Sequence, residues 1–127
     1  MSVNAPVNVN EPLAPCFDHE RLEAYQRALD FHIQVCALLP RRGRAVRDQL
    51  ERASLSVVLN IAEGAGRTSP GDKRRFYEMA RGSATESAAA LDVLQRRGLL
   101  ESERHRVARD VALRLVQMLS RLCMPRI

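Results

Sequence analysis

The feature that most constrains the fold of this chain is a set of four apolar stripes at helical spacing. Apolar residues recur at every third or fourth position within each stripe, which predicts amphipathic helices. The stripes cover about residues 18–39, 44–65, 69–98 and 102–122. Four such helices joined by short loops pack best as a bundle. The sequence therefore predicts an all-α, up-down-up-down, left-handed four-helix bundle over residues 17–124.

The stripes also predict which side chains form the core. In chain order these are Leu22, Tyr25, Leu29, Ile33 and Cys36; Val46, Leu50, Ala53, Val57 and Ile61; Phe76, Ala80, Ser83, Ser87, Ala90, Leu91 and Leu94; and Val107, Val111, Leu115, Met118 and Leu122. The third helix has the clearest start signal, because Ser69 suits the N-cap, Pro70 the first helical position and Asp72 the first turn.

The composition supports helices and makes one of them unusual. Aromatic residues make up only 4% of the chain and tryptophan is absent, which disfavours a β-sandwich or barrel. Residues 82–90 of the third helix read GSATESAAA and are nearly all small. Because small side chains let a neighbouring helix approach closely, this segment predicts either an alanine-rich core ridge or a helix–helix seam between subunits.

Charge is unevenly distributed along the chain. Residues 1–40 carry two arginines against five acidic residues, a net −3, and residues 41–127 carry eighteen basic against ten acidic residues, a net +8. Nineteen of the twenty basic residues are arginine, a side chain that binds phosphate and carboxylate groups bidentately. This pattern favours nucleic acid or an acidic protein as the partner, although a GC-rich coding bias would produce the same excess of arginine.

The start of the chain and the cysteines bear on the cellular compartment. Residues 1–16 show no periodicity and are expected to form a disordered lead. They have neither the basic start nor the apolar run of a signal peptide, and no apolar stretch reaches the ~18 residues that cross a membrane. The three cysteines form no CxxC pair. We therefore expect a cytoplasmic protein with reduced thiols and no membrane partner.

Three of the six glycines lie in residues 60–71, NIAEGAGRTSPG. A P-loop needs GxxxxGK followed by Ser or Thr, after a strand. Gly66 and Gly71 have that spacing, but Asp72 occupies the lysine position and the preceding residues have helical spacing. A dinucleotide fingerprint lacks its third glycine. The pattern instead predicts the end of a helix, with Gly64 or Gly66 in the left-handed conformation, and no bound nucleotide or other cofactor.

Two polar residues in this segment need partners. Asn60 lies beside the apolar stripe and is expected to be at least half-buried. Glu63 lies in the last turn of the second helix, where the helix dipole disfavours a carboxylate, so we expect a cationic partner among Arg67, Arg74 and Arg75. Both residues are predicted to lock the corner between the second and third helices through hydrogen bonds.

Metal-binding or catalytic groups are sparse. His32 and Cys36 are four residues apart on the first helix, a spacing that could supply two metal ligands. No second pair has comparable spacing, so both are expected to be core residues. His19 and His105 are expected to be isolated on polar faces. Because no nucleophile, base and orienting group can be assembled, the sequence predicts no metal site, no catalytic residues and no enzymatic activity.

Residues 49–87 strongly resemble the small four-helix-bundle proteins encoded in intervening sequences of bacterial 23S ribosomal RNA genes. The matching residues are Gln49, Arg52, Ala53, Ser56, Asn60, Ile61, Ala62, Glu63, Gly64, Gly66, Arg67, Ser69, Arg75, Phe76, Ala80, Gly82, Ser83 and Glu86. Residues 17–31 look like the first helix of that family, and the similarity covers about residues 17–122. Relatives of the family include the accessory variability protein of diversity-generating retroelements.

This resemblance implies a four-helix bundle that assembles as a homopentamer. In the retroelement branch, it implies an accessory protein that binds reverse transcriptase and nucleic acid. It does not imply an enzyme.

The predicted topology would gather basic residues at both ends of the bundle. One end would hold Arg41, Arg42, Arg44 and Arg47 with Arg96, Arg97 and Arg104, and the other Arg67, Lys73, Arg74 and Arg75. Repeated around a ring, either cluster would form a basic collar for RNA or DNA. Few aromatic side chains are available to stack on bases, so binding is expected to be sequence-tolerant. The alternative is a protein–protein scaffold with no nucleic-acid partner.

Overall fold

The computed structural model describes residues 16–125, which fold into four α-helices without a strand. A short 3-10 turn, Asp18–Arg21, precedes α1 (Glu23–Leu38); α2 (Arg44–Ala65), α3 (Pro70–Arg96) and α4 (Ser102–Cys123) follow. The predicted helices are confirmed, except that the first α-helix begins at Glu23 because the extended backbone of Leu22 separates it from the turn. The predicted disordered lead, apart from Cys16, lies outside the described residues.

The helices pack in cyclic order, each against the two that neighbour it. Contact is most extensive between α2 and α3, next between α3 and α4, and sparser between α1 and either α2 or α4. Within residues 16–125 the diagonal pairs, α1 with α3 and α2 with α4, have no Cα atoms within 8 Å of each other. This arrangement is that of a four-helix bundle.

The core lies on the central axis between the four helices. Its largest fully buried apolar side chains are Phe31, Leu50, Ile61, Leu91, Leu94, Leu115, Leu119, Val35 and Val57. Ser54 and Ser87 are the two buried polar residues of the described chain, and both hydroxyls donate to backbone carbonyls of their own helices. Burial of each large apolar side chain contributes about 1.5–3 kcal/mol.

The buried faces of α1 and α4 contain alanines at their centre and are not the faces that the predicted stripes form. In α1 the buried residues are Ala24, Ala28, Phe31 and Val35, whereas Ile33 is 67% exposed and Cys36 is also exposed. In α4 they are Ala108, Ala112, Leu115, Leu119 and Cys123, and Val107 is exposed. Because alanines permit the closest approach of a neighbouring helix, larger residues such as Leu29 and Met118 lie beside the contact, half-buried.

The stripe predicted for α2 is confirmed except at Val46, which is half-buried. In α3, Ala80, Ser87, Ala90, Leu91 and Leu94 are buried as predicted, but Tyr77 and Ala84 are buried in place of the half-buried Phe76 and Ser83. Leu50, Ala53, Val57 and Ile61 are buried in α2. In the small-residue segment of α3, the buried positions are Ala84, Ser87 and Ala90, which form the core ridge. Gly82, Thr85, Glu86 and Ala89, on the opposite side of the same segment, are exposed.

The interhelical loops fall at opposite ends of the bundle. At the Gly43 end, loop 39–43 meets loop 97–101, since a Cβ atom on Gly43 would lie 2.7 Å from Leu99 Cδ1. Loop 66–69 and both ends of the described chain share the other end, the Ser69 end, where they line one cavity of about 910 Å³.

The prediction that Gly64 or Gly66 ends α2 in the left-handed conformation is wrong. Gly43 and Gly98, each with φ +72°, are the glycines with positive φ among the described residues. Gly64 lies inside α2, and the C-cap Gly66 has φ −82° and ψ −6°. At the start of α3 the prediction is confirmed: Ser69 is the N-cap, and its side chain accepts a hydrogen bond from the Asp72 amide.

None of the helices formed by residues 16–125 is long and apolar enough to span a membrane.

Candidate nucleic-acid interface

The Gly43 end carries arginines whose charges have no acidic partner in the described chain, four of them in or beside its two loops. Arg41 and Arg42 lie in loop 39–43, and Arg96 and Arg97 lie at the end of α3. All four are exposed, and none forms an ion pair within residues 16–125. A Cβ atom on Gly43 would lie 3.6 Å from Arg97 Nη1, so the Arg97 guanidinium group lies against loop 39–43, which contains Arg41 and Arg42. Arg104, also predicted for this end, lies in the first turn of α4 and is likewise exposed and without an ion pair within residues 16–125.

Arg44 and Arg47, at the start of α2, are more constrained. They share Asp48, with Nε–Oδ distances of 3.7 Å for Arg44 and 3.4 Å for Arg47. Arg47 Nη1 also donates a hydrogen bond to the Arg41 carbonyl oxygen at 3.4 Å. The Arg47 side chain thus holds the loop that presents Arg41, and it is less available to a ligand than the unpaired arginines.

A cavity of about 440 Å³ lies beside Arg96 and Arg97 and includes His105 in its lining. His105 Nε2 is 2.7 Å from Asp92 Oδ1, across the α3–α4 contact. The prediction that His105 is isolated is therefore wrong. The contact between Asp92 and His105 could have been predicted from the geometry of a helical hairpin, because residues at similar distances before and after the loop face each other.

The four candidate basic residues at the Ser69 end are largely engaged with other groups. Lys73 Nζ donates hydrogen bonds to the Ala65 and Gly64 carbonyl oxygens at 2.8 and 3.4 Å, so the ammonium group caps the end of α2. Arg74 forms an ion pair with Glu78 at 3.0 Å.

Arg67 and Arg75 at this end share one aromatic ring. Each guanidinium carbon lies 4.8 Å from the centroid of the Phe76 ring, a cation–π geometry. Arg67 also pairs with Glu63 four residues earlier. The expected cationic partner of Glu63 is therefore Arg67. Arg75 is exposed and has no carboxylate partner within residues 16–125, so the Ser69 end keeps fewer unpaired guanidinium groups than the Gly43 end.

The motif residues of α2 and α3 form a polar seam between the two helices. Asn60 Nδ2 donates to the Ser56 carbonyl oxygen and hydroxyl, both at 2.9 Å. The Ser56 and Ser83 hydroxyl oxygens are 2.9 Å apart, and Gln49 Nε2 donates to Glu86 Oε1 at 2.8 Å. These residues hold the two helices together, a structural role.

Glu63 does not belong to this seam. Asn60 is half-buried as predicted, but the Glu63 side chain is 51% exposed and pairs with Arg67 in the loop that follows α2. The prediction that Glu63 locks the corner between α2 and α3 is therefore wrong, because its carboxylate is exposed and pairs with Arg67 and not with a residue of α3.

His32 and Cys36 are not the core pair that the sequence predicts. His32 is half-buried and Cys36 is exposed, with 3.6 Å between His32 Nε2 and Cys36 Sγ. Burial and the nearby Glu51 carboxylate raise the pKa of the Cys36 thiol. Within residues 16–125, no three His, Cys, Asp or Glu side chains are grouped closely enough to hold a metal ion.

Comparison with known proteins agrees with the four-helix fold. Residues 20–121 match the sequence model of a family described as 23S rRNA-intervening sequence protein. The chain is also similar to the crystal structure of a protein of unknown function from the S23 ribosomal protein family of Bacteroides thetaiotaomicron. The TM-score is 0.75 at 18% sequence identity, covering 80% of this chain and 99% of that chain, which shows a shared fold. No curated protein matches the chain.

Proposed function

Because this chain belongs to the 23S rRNA-intervening sequence protein family, we propose that it is a non-enzymatic accessory protein that assembles into a ring and binds RNA or DNA. The nucleic acid lies across the Gly43 end, and the contacts are made to phosphate groups without regard to base sequence.

The observation that carries this proposal is the set of unpaired arginines at the Gly43 end. Arg41, Arg42, Arg96 and Arg97 are exposed and lack an acidic partner in the described chain. Like charges gathered on one surface repel each other, and a polyanion relieves that repulsion while releasing its own counterions. At the Ser69 end, by contrast, Lys73, Arg67 and Arg74 are already bonded to carbonyl or carboxylate oxygens.

Exposed apolar side chains on α2 and α3 support self-assembly. Leu59 is 58% exposed and Met79 is 49% exposed. In the sequence, Leu59 directly precedes the seam residue Asn60, and Met79 lies four residues before the seam residue Ser83. A Cβ atom on Gly82 would have no atom within 4 Å, which leaves room for a neighbouring subunit. Five copies, the number that the sequence resemblance implies, would place five Gly43 ends on one ring.

The nucleic-acid proposal is tested by binding of a mixed-sequence RNA and DNA at several salt concentrations. If six to ten phosphates are neutralised, affinity falls by about 10³–10⁵ between 50 and 200 mM salt. Changing Arg41, Arg42, Arg96 and Arg97 to Gln should weaken binding and flatten the salt dependence. The matched control changes four exposed arginines of α4 to Gln, namely Arg106, Arg109, Arg114 and Arg121, and should retain most of the affinity. Equal loss in both variants would show a general charge effect and would contradict a defined interface.

The ring is tested by light scattering on the free protein. A pentamer has five times the 14.3 kDa mass of the chain. Leu59→Asp and Met79→Asp should lower the measured mass, while Leu113→Asp on the exposed face of α4 should not. If the wild-type protein is a monomer, the ring proposal is wrong. The proposed arginine interface is then tested by the RNA titration alone.

A protein–protein scaffold without a nucleic-acid partner is the second candidate, favoured by the exposed Ile33 and Leu59 side chains. Binding to RNA and DNA that is weak and insensitive to salt would favour this candidate over the first.

A further inference from the structure

A chain of three side chains connects the core to the surface near the Gly43 end. Ser54 of α2 is fully buried, His32 of α1 is half-buried, and Cys36, one turn further along α1, is exposed. The Ser54 hydroxyl oxygen is 2.8 Å from His32 Nδ1, and His32 Nε2 is 3.6 Å from Cys36 Sγ. A buried hydroxyl, an imidazole and an accessible thiol are therefore in series.

The hydrogen bonds of Ser54 determine which nitrogen of His32 is free to act as a base. Ser54 has one hydroxyl proton, which it donates to the Glu51 carbonyl oxygen at 3.0 Å. With that proton on the Glu51 carbonyl, the Ser54 oxygen can only accept from His32 at 2.8 Å, and the ring proton is assigned to Nδ1 from this hydrogen-bond pattern. The lone pair of Nε2 consequently points toward the Cys36 thiol. Histidine bases are commonly oriented in this way: a hydrogen bond at one ring nitrogen fixes the tautomer of the ring and leaves the other nitrogen free to accept a proton.

We propose that Cys36 is a nucleophilic thiol, with His32 as its base and Ser54 as the positioning residue, and that it reacts with small disulfides. The Cys36 S–H proton passes to His32 Nε2, and Cys36 Sγ attacks one sulfur of the disulfide. The S–S bond of the reagent breaks, a new S–S bond forms to Cys36, and the leaving thiolate takes the proton from His32. The Cys36 sulfur is oxidised and the leaving sulfur is reduced, so the products are a mixed disulfide and one free thiol.

The surroundings of Cys36 explain why a base is needed. Partial burial and, to a smaller extent, the Glu51 carboxylate of α2 raise the pKa of the thiol, which keeps the sulfur protonated at neutral pH. The attacking species is the thiolate, and the imidazole nitrogen provides the nearest acceptor for the proton. The other two cysteines lack this arrangement: Cys123 is buried, and the Cys16 sulfur accepts a hydrogen bond from Arg21 Nε at 3.3 Å.

The test measures the rate at which oxidised glutathione modifies Cys36 in the full-length protein, followed by mass spectrometry of the Cys36 peptide from pH 6 to pH 9. Wild type should react at neutral pH at least about tenfold faster than His32→Gln. The rate for His32→Gln should rise with each pH unit as hydroxide takes over deprotonation, so the two profiles converge at alkaline pH. Ser54→Ala should slow the reaction less than His32→Gln, because it removes only the positioning contact.

Identical rates and pH profiles for wild type and His32→Gln would overturn the proposal. If His32 had only a structural role, the substitution would leave the shape of the pH profile unchanged. Nitrogen NMR of the histidine ring provides a measurement that needs no variant. It should report the proton of neutral His32 on Nδ1, and a proton on Nε2 would equally overturn the proposal. Cys16 modification, followed in the same digest, should be unaffected by either substitution.

Discussion

Gly64 of α2 packs tightly against Phe76 and Tyr77 of α3. A Cβ atom built there would lie 2.9 Å from Cε1 of the buried Tyr77 ring and 3.0 Å from Phe76 Cβ. Neither atom is the free end of a flexible side chain, so a methyl group would push the helices apart. A glycine inside a helix costs about 1 kcal/mol relative to alanine, and at this position the close packing outweighs that cost.

We therefore expect Gly64→Ala to lower the free energy of unfolding by about 1–3 kcal/mol despite its better helix propensity. Gly66→Ala is the matched control, because the nearest atoms to its Cβ are carbonyl oxygens at 3.7 and 3.8 Å. It should be neutral or stabilising by up to ~1 kcal/mol. Urea unfolding of both variants measures the difference, and equal stabilities would contradict the packing argument.

Glu63 should contribute little to stability, since its ion pair with Arg67 joins exposed side chains one helical turn apart. From sequence alone, a buried and paired carboxylate would be expected to cost ~1–3 kcal/mol on removal. In the structure, we expect Glu63→Ala to change the free energy of unfolding by no more than about 0.5 kcal/mol. A loss above about 1 kcal/mol in thermal or urea unfolding would indicate that Glu63 contacts more than Arg67 in the assembled protein.

Among the elements, α3 has two small-residue surfaces with different roles. Ala84 is fully buried in the core ridge, while Ala89 lies on the exposed side. Ala84→Leu should destabilise the fold by about 1–3 kcal/mol through overpacking. Ala89→Leu should leave the unfolding of the monomer nearly unchanged and, if this side forms a subunit seam, reduce the mass measured by light scattering. Equal destabilisation by both substitutions would contradict the assigned orientation of α3.

The elements also show how far the sequence could predict the structure. The bounds of α2 and the start of α3 follow from local signals, because residues such as Ser69 and Pro70 act within one turn. The buried faces of α1 and α4 could not be read in the same way, since apolar residues occupy two adjacent stripes there. Which stripe is buried depends on how closely a neighbouring helix can approach, a tertiary property that favours Ala28 and Ala112 over Ile33 and Val107.

The candidate site was predictable only as a collection of arginines. Up-down topology correctly brings Arg41 and Arg97 to one end. Which arginines lack acidic partners depends on side-chain geometry that spacing does not encode, as for Arg74 with Glu78 and Lys73 with two carbonyl oxygens. The link from Ser54 through His32 to Cys36 was missed for a related reason, because its members come from two helices and only two of them share a spacing.

For the molecule as a whole, the cysteines predict a loss of stability at alkaline pH. Burial raises the pKa of Cys123, and burial with Glu51 raises that of Cys36. A folded-state pKa above the unfolded value of about 8.5 contributes stability that is fully present below that pH and is lost as pH rises through the folded value. The free energy of unfolding should therefore fall as the pH rises above about 8.5. The double variant Cys36→Ala, Cys123→Ala should show a flatter dependence in urea unfolding, and an unchanged slope would assign the effect to other groups.

The uneven contacts between helices imply an order in which the molecule opens. The α2–α3 hairpin closes a four-residue loop and has the most extensive contact, whereas α1 is held by sparser contacts to α2 and α4. Segments with more extensive packing open at a higher free energy, so amide hydrogen exchange should be slowest in α2 and α3 and faster in α1. Uniform protection across the four helices would contradict this order. Transient detachment of α1 would carry His32 away from Ser54, and Cys36 would then have the reactivity of an ordinary exposed thiol. The same opening would expose the core face of α2 to proteases.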